Sequence, residues 1–164
     1  MLIKIIYKML FLLENMRISH VRKMMHVGEN VAIKHGFKAS RPRKITIGDG
    51  VSIHVNCVMQ AQAPIKIGSG TLIAANCTIV TANHTITVSG DNNAIGGTES
   101  KPVTIGKNCW LGANVTILPG VTLADGAIIG AGSVVTKDMP ANMICLGSPA
   151  RPIKPRPIVP ENEL

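Results

Sequence analysis

A phrase of six residues repeats without a slip between residues 105 and 135. Each phrase opens with an aliphatic residue, usually follows it with Gly or Ala, and tends to place Gly or Asn fourth and a small or β-branched residue fifth. Such a unit predicts a short strand and a tight corner. The first and fifth side chains point inward, and Gly or Asn accepts the positive φ of the corner. Three phrases make one triangular coil, which needs a neighbouring coil to bury its apolar edge.

The same phrase recurs upstream, raggedly at residues 27–38 and clearly at 47–58 and 67–78. We therefore predict a parallel β-solenoid over residues 27–147. Aromatic residues make up only 2% of the chain, which suits the narrow interior of a triangular coil. At 164 residues the chain is expected to form one domain.

The flanking segments are a basic N-terminal stretch, residues 1–26, and a C-terminal tail, residues 148–164. Residues 1–44 carry ten Lys and Arg against Glu14 and Glu29, whereas the remaining residues are balanced at seven against seven. An amphipathic helix is predicted over the N-terminal stretch. It would either cap the open end of the solenoid or dock on an anionic membrane.

Three other roles for the N-terminal stretch are disfavoured: a membrane span, a signal peptide and nucleic-acid binding. Its apolar run is too short, and too interrupted by Lys4 and Lys8, to span a bilayer, and it lacks the small-residue cleavage site of a signal peptide. Binding to nucleic acid is not expected, because stacking aromatics and a recognisable reader motif are missing.

Three of the four cysteines, Cys57, Cys77 and Cys109, fall at the inward fifth position of a phrase. We interpret them as packing residues. No Cys-x-x-Cys pair occurs, so neither a zinc site nor any other metal site is predicted. With no export signal and no disulfide pattern, the expected location is cytoplasmic.

The six-residue frame that starts at Ile73 stops directly after His84. Residues 85–102 are rich in Gly, Asn and Ser and follow no six-residue period, and the repeat restarts at Val103. A solenoid has no structural need for a long irregular insertion, so function is expected there. The other histidines are predicted to be ordinary surface or core residues: His20, His26, His35 and His54.

Around this break the chain resembles the hexapeptide-repeat acyltransferases, in particular the galactoside and maltose type and the capsular or lipopolysaccharide sugar O-acetyltransferases. The resemblance rests on Thr-Ala-Asn-His at 81–84 and on Pro-Val-Thr-Ile-Gly-Lys-Asn-Cys-Trp-Leu-Gly at 102–112. It extends to the stretches 118–121, 130–140 and 147–151. It implies an all-β fold, a left-handed parallel β-helix with a short N-terminal helix and an inserted loop. It also implies a homotrimer.

The same resemblance implies an acetyl-CoA-dependent O-acetyltransferase that acts on a hydroxyl of a sugar or polysaccharide precursor. His84 would be the catalytic base, because neutral imidazole accepts a proton at cytoplasmic pH. Direct attack on the thioester is expected, since no nucleophile elbow occurs. Acetyl-CoA is then a co-substrate, with no metal. The implied acceptor-binding residues are Asn56 and Asn83, and the implied cofactor-binding residues are Trp110, Gly112, Ala113, Ala131, Thr136, Lys137, Arg151 and Lys154.

Several of these assignments have structural alternatives. Asn56 could simply satisfy a corner, Trp110 could serve trimer packing, and each of the cations could be a solvated surface residue. Thr85 replaces the proline that commonly follows the histidine in the family, and residues 1–26 show no acidic acceptor contact. Both departures favour an acceptor of capsule, exopolysaccharide or lipopolysaccharide assembly over a small galactoside.

Other functions fit the sequence less well. N-acetylation of an amino-sugar nucleotide is the nearest rival, although the extra N-terminal nucleotide-sugar domain often found there is missing. A solenoid carbonic anhydrase would need a His-x4-His zinc pair, which is absent. A purely structural solenoid would show regular outward threonine rows and no irregular loop.

Overall fold

The computed structural model describes residues 2–86 and 97–157. One helix, α1 (Leu2–Met24), precedes a series of short strands, and a 3-10 turn (Pro42–Lys44) interrupts the first coil. The strands are β1 (His26–Val27), β2 (Ala32–Ile33), β3 (Lys38–Ser40), β4 (Ile45–Ile47), β5 (Ser52–Ile53), β6 (Val58–Gln60), β7 (Ile65–Ile67), β8 (Leu72–Ile73), β9 (Thr78–Val80), β10 (Ala82–His84), β11 (Thr98–Ser100), β12 (Val103–Ile105), β13 (Trp110–Leu111), β14 (Thr116–Ile117), β15 (Thr122–Leu123), β16 (Ile128–Ile129), β17 (Val134–Val135), β18 (Met143–Gly147) and β19 (Ala150–Pro155).

These strands form three parallel sheets, the faces of a triangular solenoid. The first face has the order β1-β4-β7-β12-β15, the second β2-β5-β8-β13-β16-β18, and the third β3-β6-β9-β14-β17. Strands one coil apart pair in register, so that Ile65 lies between Ile45 and Val103. The predicted β-solenoid is confirmed. The hairpin of β10 and β11 stands outside all three faces.

The corners between faces use the residues that the repeat predicted. Asn76 has φ 60° and Gly70 has φ 71°, a left-handed conformation that glycine and asparagine accept more readily than other residues. Some glycines are required by close stacking instead. A Cβ on Gly112 would lie 2.6 Å from the backbone nitrogen of Ala131 in the next coil, so a side chain there would push the two coils apart.

The core is a continuous column of inward aliphatic side chains. The predicted packing role of the cysteines is confirmed, because Cys57, Cys77 and Cys109 are at most 2% exposed, and Cys145 is also buried. Burial raises the pKa of the Cys109 and Cys145 thiols. Their reactive thiolate forms are therefore scarce at neutral pH.

The C-terminal half of α1 covers the open end of the solenoid. Ile18 is buried and Val21 packs against the core, and Met25, which follows the helix, is part of the core. The guanidinium of Arg17 donates a hydrogen bond to the Phe37 carbonyl at 2.6 Å, and that of Arg22 donates to the Val31 carbonyl at 3.0 Å. The helix thus satisfies backbone carbonyls of the first coil that have no coil below them.

At the other end of the solenoid, part of the predicted C-terminal tail forms a strand. There β19 pairs antiparallel with β18 and extends the second face. Among the residues that the structure describes, no helix is long and apolar enough to cross a membrane.

Candidate active site

The break in the repeat after Val80 is a projecting hairpin. β10 leaves the third face directly after β9 and pairs antiparallel with β11, with His84 opposite Thr98. Beyond that pair, the Thr85 amide donates to the Gly97 carbonyl at 2.9 Å. The hairpin therefore begins at Ala82, three residues earlier than the predicted insertion of 85–102. Residues 87–96 of that insertion lie outside the described residues.

Thr81 fixes the base of the hairpin to the coil below. Its side chain is fully buried, and its hydroxyl donates to the Gln60 carbonyl and accepts from the Ala63 amide, both at 2.9 Å. Its carbonyl accepts from the Lys101 amide at 2.9 Å, which closes the two strands. Because every polar group of this residue is paired, the path of the chain toward His84 is well determined.

His84 and Asn83 lie together in an open polar pocket between the hairpin and the end of the third face. The imidazole is exposed, so it can meet a ligand from solvent. The lining residues are Ser40, Gln60, Gln62, Ala82, Asn83, His84 and Thr98. Hydroxyl and amide groups of this kind donate and accept hydrogen bonds, and the pocket is therefore suited to a ligand rich in hydroxyl groups.

Sequence reasoning missed Ser40, Gln60 and Gln62. Ser40 and Gln60 are register partners at the ends of β3 and β6, and Val80 follows in the same row. Each is the residue with which its strand leaves the third face, so the row leads directly to the hairpin. A polar residue at the same place in successive coils was the available signal.

Asn56 lies elsewhere in the chain's own fold. It is an exposed corner residue with φ 60°, and its amide donates to the His35 carbonyl of the coil below. It does not line the His84 pocket. Within one chain the structure does not bring Asn56 and His84 together, and its role in acceptor binding remains a prediction.

A second open pocket surrounds Trp110 on the second face. The indole is 49% exposed and lies between Leu72 and Ile128 of the neighbouring coils. The two pockets share no residue, and the lining here is Gly70, Leu72, Asn108, Cys109, Trp110, Asp125, Gly126, Asn142 and Arg156. Within one chain, therefore, His84 and Trp110 lie in separate pockets on different faces of the solenoid.

Arg156 was also missed by sequence reasoning. It follows β19, and its guanidinium donates to the Asn108 carbonyl at 2.9 Å, so it is held against the corner beside Trp110. Its amide donates to the Asn142 carbonyl at 2.8 Å. The position in the predicted tail gave no signal, because its partners are 14 and 48 residues away in sequence.

The remaining predicted cofactor residues lie along the upper coils. Gly112, Ala113 and Ala131 stack at the corner that follows the second face, where the Gly132 amide donates to the Ala113 carbonyl at 2.8 Å. The others are exposed, two of them just after β17 and two on β19: Thr136, Lys137, Arg151 and Lys154. None of these seven lines either pocket. Within the described ranges no cluster of His, Cys, Asp or Glu is arranged to hold a metal ion.

Comparison with known proteins agrees with this architecture. The family model for the hexapeptide repeat of succinyl-transferase matches residues 44–81 and 102–137, and the gap between the two segments contains β10 and β11. The chain is 38% identical over 128 residues to galactoside O-acetyltransferase from Escherichia coli K12, covering 78% of this chain and 62% of that protein. It is 35% identical over 130 residues to a candidate colanic acid biosynthesis acetyltransferase from the same organism, covering 79% and 69%.

A solved structure gives the same result in three dimensions. A hexapeptide-repeat-containing acetyltransferase from Vibrio cholerae O1 biovar eltor, in complex with acetyl coenzyme A, superposes with a TM-score of 0.78. It is 32% identical, with 88% of this chain and 79% of that chain covered. The predicted left-handed parallel β-helix is confirmed. The chain belongs to the hexapeptide-repeat acetyltransferases.

Proposed function

We propose that this chain is an acetyl-CoA-dependent O-acetyltransferase whose acceptor is a sugar or a polysaccharide precursor. The observation that carries the proposal is the position of His84. It stands exposed on a hairpin that the solenoid does not need, inside a pocket of hydroxyl and amide groups. The names of the two Escherichia coli relatives support a galactoside or glycan acceptor for those proteins. This chain spans 62% of the first of them.

In the proposed reaction His84 acts as general base. Its neutral imidazole takes the proton from an acceptor hydroxyl while the hydroxyl oxygen attacks the thioester carbonyl of acetyl-CoA. The new C–O bond forms, the C–S bond breaks, and the proton passes from the imidazolium to the departing thiolate. No covalent enzyme intermediate is needed, which agrees with the burial of every cysteine. Asn83, beside the histidine in the pocket, would hold the acceptor by hydrogen bonds.

Acetyl-CoA would bind along the second face and the corner that follows it. Trp110 offers an exposed apolar ring for the pantetheine arm. The small residues Gly112, Ala113 and Ala131 leave the corner free of bulky side chains, so that a slender chain can lie against the backbone. The exposed cations Lys137, Arg151 and Lys154 would meet the nucleotide phosphates, with Thr136 beside them.

The separation of the two pockets favours a homotrimer in which each active site combines two copies. One copy would supply His84 and its neighbour would supply Trp110. Co-expression of His84→Ala and Trp110→Ala chains tests this arrangement, because a mixed trimer would contain some sites with both residues intact. We expect clear recovery of activity over either variant alone. If both residues act within one chain, the mixture stays as inactive as its components.

The reaction itself is tested by release of free CoA in the presence of sugars, nucleotide sugars and oligosaccharides. We expect acetyl transfer to hydroxyl groups of a glycan or sugar intermediate, and an ester product that mild alkali cleaves. Transfer only to amino-sugar nucleotides, with an alkali-stable amide product, would instead support N-acetylation. We propose that the reaction takes place in the cytoplasm, in keeping with the free cysteines of the described residues.

A further inference from the structure

The N-terminal half of α1 lies outside everything that the proposed function uses. The helix packs on the solenoid only from Glu14 onward, whereas residues 2–13 are all exposed. Among them Tyr7 is 72%, Leu2 70% and Phe11 60% exposed. The large apolar residues of this segment are Leu2, Ile3, Ile5, Ile6, Tyr7, Met9, Leu10, Phe11, Leu12 and Leu13. An exposed apolar surface of this extent marks a binding site.

The distribution of these residues around the helix distinguishes between partners. At 100° per residue the apolar side chains cover an arc of about 260°, and Lys4 and Lys8 share the narrow remainder. A second helix buries a stripe of roughly 100° to 140°, so it would leave most of this surface in water. Lipid acyl chains surround a helix and can cover the whole arc. The two lysines can extend toward the headgroups.

The charge of the surrounding surface also favours a lipid bilayer as the partner. Residues 1–44 carry ten Lys and Arg against two Glu. Arg17 and Arg22 are engaged with backbone carbonyls, and Glu14 is paired with Arg17 at 2.8 Å. The other exposed cations of this end are Lys4, Lys8, Lys23, Lys34, Lys38, Arg41, Arg43 and Lys44, and the ammonium of Lys44 donates to the Gln62 carbonyl at 2.6 Å. Basic residues beside an apolar segment attract the anionic headgroups of a bilayer.

We propose that residues 2–13 insert into the surface of an anionic lipid bilayer and anchor the solenoid there by its N-terminal end. A helix of this length measures about 18 Å, against about 30 Å for the hydrocarbon core, so the segment enters one leaflet without crossing. The inference is independent of the proposed activity.

Flotation of the full chain with lipid vesicles tests the anchor. We expect the wild-type chain to float with vesicles of phosphatidylcholine and phosphatidylglycerol in a ratio of about 3:1 and much less with phosphatidylcholine alone. Leu10→Gln/Phe11→Gln should weaken binding by about 30-fold or more, and Lys4→Gln/Lys8→Gln by roughly 20-fold. Ile153→Gln and Lys66→Gln, which alter an exposed apolar and an exposed basic residue outside α1, are the matched controls and should bind as the wild type does.

A fluorescence measurement separates insertion from surface adsorption. In a Tyr7→Trp variant the tryptophan emission should shift to shorter wavelength when anionic vesicles are added, while the wild-type emission from Trp110 stays constant. The anchor is overturned if the wild-type chain binds no vesicles, or if binding survives the Leu10→Gln/Phe11→Gln change. It is equally overturned if that change instead lowers the oligomer mass in light scattering without vesicles, because the segment then pairs with other copies.

Discussion

The stacked coils of the solenoid (β1–β9 and β12–β18), here called the ladder, and the hairpin of β10 and β11 are built from opposite kinds of residue. In the ladder every inward position is filled, and residues such as Leu111 and Ile117 are fully buried. In the hairpin no described residue from Ala82 to Thr85 or from Gly97 to Lys101 is buried. Its strands are joined by backbone hydrogen bonds and anchored at one buried residue, Thr81. The fold therefore depends on the ladder, and we expect the proposed chemistry to depend on the hairpin.

This division lets one chain combine a self-supporting scaffold with an exposed candidate site. Each coil stacks on the next through main-chain hydrogen bonds and a shared core, so the ladder on either side of the hairpin supports itself. The hairpin can then present exposed polar side chains without weakening the core. Substitutions in the two regions should separate cleanly into effects on stability and effects on activity.

The largest expected effect is on turnover. If His84 removes the acceptor proton, His84→Ala should lower kcat by about 10²–10⁴-fold while the fold and the affinity for acetyl-CoA stay unchanged. Steady-state kinetics and thermal melting on the same preparation provide the measurement. His26→Ala, which removes an exposed histidine from the ladder, is the control and should retain activity. Activity of His84→Ala within a few-fold of the wild type would rule out the assignment.

The converse change belongs to the ladder. Leu111 is fully buried between Ile73 and Ile129 of the adjacent coils, and Leu111→Ala should lower the free energy of unfolding by about 2–5 kcal/mol. Asn83→Ala, on the exposed hairpin, should change it by less than about 0.5 kcal/mol. Denaturant unfolding followed by circular dichroism measures both. Equal destabilisation by the two changes would show that the hairpin is part of the structural core.

A smaller effect is expected at the exposed cations that we propose to contact the nucleotide of acetyl-CoA. Lys137→Ala or Arg151→Ala should raise KM for acetyl-CoA by about threefold to tenfold and leave KM for the acceptor unchanged, because one charge contact to phosphate is lost. The increase in KM for acetyl-CoA should be smaller in high salt, because salt screens the charge contact. Kinetics with each substrate varied in turn provide the measurement, with Lys66→Ala as a control. Equal changes in both KM values would argue that these cations do not meet the nucleotide.

The smallest effect concerns the cap. The Arg17 guanidinium, which forms a hydrogen-bonded ion pair with Glu14, lowers the pKa of that carboxyl to about 2, and the Gly36 amide contributes. Because the folded-state pKa lies below the unfolded value, the stabilisation is complete above about pH 4.5 and is lost as the pH falls toward 2. Glu14→Gln should lower the melting temperature by about 2–4 °C at pH 7. Melting curves from pH 7 to 2 should show the difference disappearing, and a constant difference would contradict the assignment.

The features of the fold that could be predicted are those formed by residues close together in sequence. The six-residue period, the corner Gly and Asn residues and the inward Cys57, Cys77 and Cys109 are local signals that repeat many times, so they reinforce one another. The break after His84 was visible for the same reason. Its form was not, because a hairpin of exposed residues has no period, and pairing of Asn83 with Glu99 is specified only by register.

The pocket residues were harder to predict because they come together across coils. Gln60 belongs to the coil below His84, and sequence order does not show which of the three corners meets the hairpin. Arg156 reaches Asn108 from the far end of the chain. The second half of the predicted N-terminal segment packs on the solenoid and buries Ile18, whereas its first half is exposed. Spatial neighbours of this kind require the three-dimensional coil geometry.

The most direct test of the division between ladder and hairpin is to remove the hairpin whole. The Thr81 carbonyl already accepts from the Lys101 amide, so an Asn-Gly pair can replace residues 82–100 as a two-residue turn with that bond intact. Thermal melting, acetyl-CoA binding by calorimetry and acetyl transfer are then measured on one preparation. We predict a melting temperature within about 3 °C of the wild type, retained acetyl-CoA binding and a loss of transfer of at least about 100-fold. A chain that unfolds, or one that still transfers acetyl groups at the wild-type rate, would contradict the account.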